Sequence, residues 1–147
     1  MLILALMLVG HCAAAQLKVL VLDSKTGEPL GGKAVCVSLS ASPKMTALDK
    51  SDMGPVCHRT NPNGIMDITL PDPSPEWAYV TLHTNDLLSC FAPGHATSIV
   101  ELAKTGVTAP NTCGIAATMP ASQAGELVVF AHQMTFSEVL KAMWKEV

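Results

Sequence analysis

The sequence predicts an all-β protein, built as a small sandwich, and three observations support this prediction. Apolar residues recur at strand spacing in several short runs, beginning with residues 17–23 and 34–40. Glycine and proline separate these runs at residues 24–30 and 61–64, where they favour turns. The chain has 147 residues, which is enough for one domain with a core of its own.

The N-terminus has the pattern of a secretory signal. Residues 1–9 are continuously apolar, and small residues follow up to Ala15. We predict a signal peptide over residues 1–15, cleaved after Ala15, and therefore a secreted or periplasmic protein with no integral membrane span after cleavage. An uncleaved anchor is one alternative. Lipidation of Cys12 is a poor one, because His11 is larger than the residue that normally precedes a lipidated cysteine.

The charge of the chain argues against one class of partner. The formal net charge is −3, and the basic residues form no block or stripe. Nucleic-acid binding normally requires such a basic surface. We therefore expect no nucleic-acid partner.

The first half of the chain reads as strands joined by tight turns. Both faces of residues 17–23 are apolar, as in a strand inside a sandwich. Cys36 falls on the next strand, at 34–40, and a short strand is expected at 55–60. Asn63-Gly64 is a hairpin signal, so we expect it to pair that short strand with 65–70.

The second half adds further strands and two helices. Strands are expected at 77–84, 87–91 and 126–134, and helical spacing at 98–104 ends at Gly106. Thr135 and Glu138 form a capping-box pattern that starts a helix over 135–147. One side of this helix is apolar, with Phe136, Val139, Leu140 and Met143. That side is expected to cover one end of the sandwich, the alternative being that it docks on a membrane or a partner.

The cysteines favour structural disulfides. Cleavage of the signal removes Cys12 and leaves an even number, Cys36, Cys57, Cys90 and Cys113. None of them has the spacing of a zinc or thioredoxin-like motif. Three pairings are possible. We favour Cys36 with Cys57, which would join two early strands, and Cys90 with Cys113, which would close the base of the helical segment.

Two turn patterns resemble the carboxypeptidase regulatory-like family. They are Val-x-Asp-x-x-Thr-Gly-x-Pro-Leu-x-Gly at 21–32 and Thr-Asn-Pro-Asn-Gly-x-x-x-x-x-Leu-Pro at 60–71. The resemblance implies a seven-stranded Greek-key sandwich, Ig-like and prealbumin-like, over residues 16–134. The stretch 91–124 would be an insertion that carries a short helix, and residues 135–147 a separate amphipathic helix. Members of this family usually act as accessory, surface or carbohydrate-binding-like modules.

The sequence contains no recognisable set of catalytic residues. The mature histidines His58, His83, His95 and His132 lack the spacing of a helical metal site, and no Gly-x-Ser-x-Gly motif is present. The transthyretin-related hydrolases, which share the implied fold, end in Tyr-Arg-Gly-Ser, whereas this sequence ends in Lys-Glu-Val. We expect no catalytic residues, no cofactor and no metal.

The function predicted from sequence is that of a non-enzymatic exported β-sandwich module. It would have a binding or accessory structural role in the cell envelope or outside the cell, with an unidentified protein or glycan as partner. A carbohydrate-binding module is the first alternative, because Trp77 and Tyr79 are two apart on one strand and could stack on a sugar ring. A transthyretin-like hydrolase is the second alternative.

Overall fold

The described part of the protein consists of two β-sheets packed face to face, with two short helices. A computed structural model describes residues 15–43, 55–82, 86–92, 96–114 and 120–146. The strands are β1 Gln16–Asp23, β2 Ala34–Ser40, β3 Val56–Arg59, β4 Ile65–Thr69, β5 Trp77–Leu82, β6 Leu87–Ser89, β7 Ala96–Ser98, β8 Val107–Thr108 and β9 Glu126–Gln133. The helices are α1 Ile99–Thr105 and α2 Phe136–Lys145. The prediction of an all-β sandwich is confirmed, although the described residues form nine strands rather than seven.

Strand β9 lies at the centre of the first sheet. The order is β4-β1-β9-β6, and β8 pairs with the start of β9 beside β6. β1 and β9 run parallel, with Lys18 opposite Glu126 and Asp23 opposite Ala131. The second sheet has the order β3-β2-β5-β7 and is antiparallel throughout its described pairs. The first and last strands of the chain are therefore neighbours.

The core fills the space between the sheets. Alternate residues of each long strand point inward, so valine and leucine from both sheets interdigitate. The first sheet contributes Val19, Val21 and Val129, and the second contributes Val35 and Val37. All of these are nearly or fully buried.

The outer face of the first sheet is also covered. Leu22, Val128 and Phe130 are buried there in a second, smaller cluster with Cys90. Cys113 packs against this cluster and is disulfide-bonded to Cys90, with their Cα atoms 5.2 Å apart. The coverage explains why β1 and β9 are apolar on both faces.

The second disulfide joins neighbouring strands of the second sheet. Cys36 of β2 and Cys57 of β3 lie directly opposite each other, with a Cα–Cα distance of 4.1 Å. The structure thus has both bonds of the pairing favoured from the sequence.

The turn at residues 61–64 joins the two sheets, so the predicted hairpin is wrong. β3 belongs to the second sheet and β4 to the first. The turn itself is present, because the Asn61 side chain accepts hydrogen bonds from the N–H groups of Asn63 and Ile65. Gly64 has a φ of 75°, and its carbonyl accepts from Val21 of β1 at 2.9 Å, which directs the chain into the other sheet.

Two strands and a helix lie within the predicted insertion at residues 91–124. Within residues 91–124, β7 extends the second sheet and β8 pairs with β9 in the first. α1 lies between them and is capped by Ser98, whose side chain accepts from the N–H of Glu101. Its buried residues Ile99 and Leu102 belong to the main core. β7 and β8 are only three and two residues long, which is too short for a clear alternation in the sequence.

Candidate functional site

Helix α2 begins immediately after the central strand. Thr135 caps it and forms the predicted capping box: its Oγ1 accepts from the Glu138 N–H at 3.4 Å, and its own N–H donates to Glu138 Oε2 at 2.7 Å. The preceding residues are held by Asp86, whose carbonyl accepts from the Met134 N–H at 2.8 Å. The start of the helix is therefore fixed relative to the sheet.

A side-chain pair also ties α2 to β9. Nε2 of His132 lies 3.3 Å from both carboxylate oxygens of Glu138. The N–H of Thr135 and the imidazole of His132 hold the pKa of Glu138 at about 2, well below its usual range. Glu138 is thus ionised at neutral pH, and it orients the first turn of α2 towards the sheet.

Asp86 holds the end of β9 from the other side. Its carboxylate accepts a hydrogen bond from Gln133 Nε2 and lies 3.8 Å from Lys33 Nζ. Lys33 precedes β2, so this cluster connects the two sheets at the end where α2 starts. The contacts of Asp86 therefore fix the end of β9, from which α2 starts.

The apolar side of α2 faces away from the domain. Phe136 is 78% exposed, Trp144 75% and Met143 62%. Leu140 is also exposed, and only Val139 is half-buried. The expectation that this side covers one end of the sandwich is wrong for these exposed side chains. We call these five residues the α2 apolar face.

The geometry of the helix explains this orientation. Successive residues are turned by about 100° around the axis, so Glu138 points about 200° away from Phe136. Because Glu138 contacts His132, the opposite side of the helix is turned to solvent. Lys141 and Lys145 lie on the polar side, away from the apolar face.

The proposed stacking pair does not form an exposed platform. Tyr79 is only 3% exposed, and its hydroxyl donates to the carbonyl of Ser42 at 2.9 Å. Trp77 is half-buried on the same face of β5. Strand periodicity correctly places the two rings on one face, but this face is covered at Tyr79. A flat sugar-binding surface that uses both rings is therefore inconsistent with the structure.

The remaining titratable residues are dispersed. Within the part of the chain that the structure describes, no group of three His, Cys, Asp or Glu side chains is placed to hold a metal ion. His58 is exposed on β3, whereas His132 lies on β9 beside α2. His83 and His95 lie outside the described residues, as does most of the predicted signal peptide.

The pairing of His132 with Glu138 is the feature of this site that the sequence analysis missed. The sequence signal for this pairing is a histidine near the end of a predicted strand, six positions before the acidic residue of a capping box. A strand that turns directly into a helix brings such positions together. A capping box by itself explains an acidic residue at position 138, so the sequence does not indicate a second partner for it.

No family model, curated protein or solved structure matches this chain. Among the described residues, neither helix is long and apolar enough to cross a bilayer. The two disulfides fit an extracellular or periplasmic protein, where an oxidising environment maintains such bonds. Statements about the fold and the compartment therefore depend on the sequence and structure of this chain alone.

Proposed function

We propose that this protein is a non-enzymatic exported binding module that acts through the α2 apolar face. The observation that carries the proposal is the exposure of Phe136, Met143 and Trp144 on a helix with a fixed base. Exposed apolar side chains grouped on one surface mark interaction sites more often than chance placement does. The sandwich holds the helix in position and supplies no chemistry of its own.

The anchoring of α2 supports a binding role over a disordered tail. A free ten-residue helix is marginal in water, because helix nucleation is costly. Here the capping box and the His132–Glu138 pair stabilise the first turn, so the face is presented in helical form. A preformed helix loses less conformational entropy on binding than a disordered segment does.

The family resemblance belongs to the same proposal. The turn patterns at 21–32 and 60–71 suggest a seven-stranded Greek-key sandwich of the carboxypeptidase regulatory-like type, whose members usually serve as accessory modules. The exported location, through a signal peptide over residues 1–15, is also part of it. Edman sequencing or mass spectrometry of the mature N-terminus tests the cleavage site, for which we expect a start at Gln16.

Site-specific photo-cross-linking tests the binding role. A benzophenone amino acid is placed at Trp144 and, as a matched control, at Val100, which is an exposed apolar residue on α1. In cells that produce the protein, we expect adducts with a discrete envelope or extracellular component at position 144 and not at 100. Absence of adducts at 144, or the same adducts at both positions, would contradict the proposal.

A further inference from the structure

We infer that the α2 apolar face binds the surface of a lipid bilayer, with the helix lying in the plane of the interface. This inference rests on the proposed function and names the class of its partner. It begins from the composition of the helix, whose apolar side carries Phe136 and Trp144 near its two ends. Helices of this kind, with aromatic residues on one side and lysine on the other, are typical of interfacial segments.

The orientation of the helix suits a flat partner. Glu138, which contacts the sheet through His132, lies on the side of the helix opposite Phe136. The domain is thus on the water side of the helix, where it does not obstruct a planar surface approaching the apolar face. Val139 is half-buried, whereas Phe136 before it and Met143 and Trp144 after it are exposed.

The size of the face disfavours a second copy of the chain. A stable protein interface usually buries about 800 Å² on each partner and involves some 20–30 residues a side. The ten residues of α2 span only about 15 Å. A bilayer sets no such lower limit, because each buried apolar side chain adds to partitioning independently.

The charge of the helix favours the same partner. Lys141 and Lys145 lie on its polar side, while the carboxylate of Glu138 is occupied by Thr135 and His132. Lys141, which lies about 140° around the helix from Phe136, can therefore reach lipid headgroups from the flank of the helix, as long basic side chains do at membrane interfaces. We expect binding to neutral bilayers and stronger binding to anionic ones.

Vesicle flotation and tryptophan fluorescence test the inference on the purified chain. The vesicles contain phosphatidylcholine alone or mixed with phosphatidylglycerol, and Trp77→Phe leaves Trp144 as the only fluorescent tryptophan. We expect the protein to float with both vesicles, more with the anionic ones, and the Trp144 emission to shift to the blue. Phe136→Ser with Trp144→Ser should weaken flotation at least about tenfold, since two large apolar groups are lost from the interface.

Val100→Ser is the matched control, because it removes an exposed apolar side chain from the other helix. It should float like the wild-type chain, and circular dichroism should show that all variants fold. Flotation with neither vesicle, or equal flotation of the Phe136/Trp144 variant, would overturn the inference. Adducts with a protein at position 144 together with no flotation would overturn the lipid partner and leave the binding role standing. Concentration-dependent dimers that the double substitution abolishes, without flotation, would assign the face to a second copy instead.

Discussion

The two disulfides should differ in how much they stabilise the protein, although their loops are nearly equal in length. The bonded cysteines are 21 residues apart in Cys36–Cys57 and 23 apart in Cys90–Cys113. In the chain-entropy model, each loop closure contributes about 3.5 kcal/mol to the free energy of unfolding. The loops alone therefore predict equal losses for the two Cys→Ala pairs.

The surroundings of the two bonds are different. Cys36 and Cys57 lie on neighbouring strands that also pair through their backbones, and we expect this pairing to remain without the disulfide. Cys90–Cys113 instead holds the segment around Cys113 against Phe130 and Val128, on the outer face of the first sheet. This segment is also attached by hydrogen bonds, among them those from the Thr112 N–H to the Cys90 carbonyl at 2.9 Å and from the Asn111 side chain to the Ser24 carbonyl at 3.1 Å.

Displacement of the segment around Cys113 should expose apolar surface that the Cys36–Cys57 bond does not protect. Phe130 is fully buried, and exposing one such side chain costs about 1.5–3 kcal/mol. We therefore expect C90A/C113A to lose about 1.5–3 kcal/mol more than C36A/C57A. Urea unfolding of the oxidised proteins, followed by circular dichroism, measures the difference. Equal losses, or a larger loss for C36A/C57A, would refute the argument from the covered face.

Three further predictions concern the helix start, a turn and the second sheet. The pKa of Glu138 is lowered from 4.5 to about 2, so its bonds should stabilise the start of α2 above pH 4.5 and be lost as the pH falls through 2. NMR titration of its carboxyl carbon checks this, and a midpoint at the usual value would contradict it. Gly64→Ala should destabilise the protein more than Gly32→Ala. Both positions have positive φ, which costs an alanine about 1–2 kcal/mol. Only at Gly64 would the new Cβ also meet a backbone oxygen, that of Val21, at 2.8 Å. Thermal unfolding compares the two variants, and equal shifts in melting temperature would count against the clash. Tyr79→Phe should cost about 1 kcal/mol of unfolding free energy, because it removes the bond to the Ser42 carbonyl. Urea unfolding measures it, and no change would show that this bond contributes nothing.

Local sequence patterns predicted the regular elements well. The alternation of valine and leucine located β1, β2 and β9, and the Thr135–Glu138 capping box located the start of α2. These features depend on residues close together in the chain, so a short window of sequence contains the information. Side-chain period and cap chemistry were sufficient in each case.

Long-range features were harder to predict. The turn at residues 61–64 has the residues of a hairpin, yet the sheet that β4 joins is decided by its pairing with β1. Thr60 helps to fix the crossing, because its hydroxyl donates to the Leu30 carbonyl at 2.7 Å. No local pattern contains a contact between residues so far apart.

The candidate site also combines features that the local sequence predicts with features that depend on long-range contacts. The spacing of Phe136, Leu140 and Met143 predicted an apolar helix face, but the sequence does not say what faces it. That depends on which side of the helix Glu138 attaches to the sheet through His132. Likewise, the period of β5 placed Trp77 and Tyr79 on one face without showing that Tyr79 is covered.

The parallel pairing of β1 with β9 joins two segments that are far apart in the chain. Lys18 pairs with Glu126, so the first sheet is completed only after both of these distant segments have been synthesised. Contacts between such distant segments lose much chain entropy before they gain stability, and proteins rich in them fold slowly. A nascent chain that lacks β9 has no centre for this sheet. We therefore expect a chain truncated before β9 to remain unfolded.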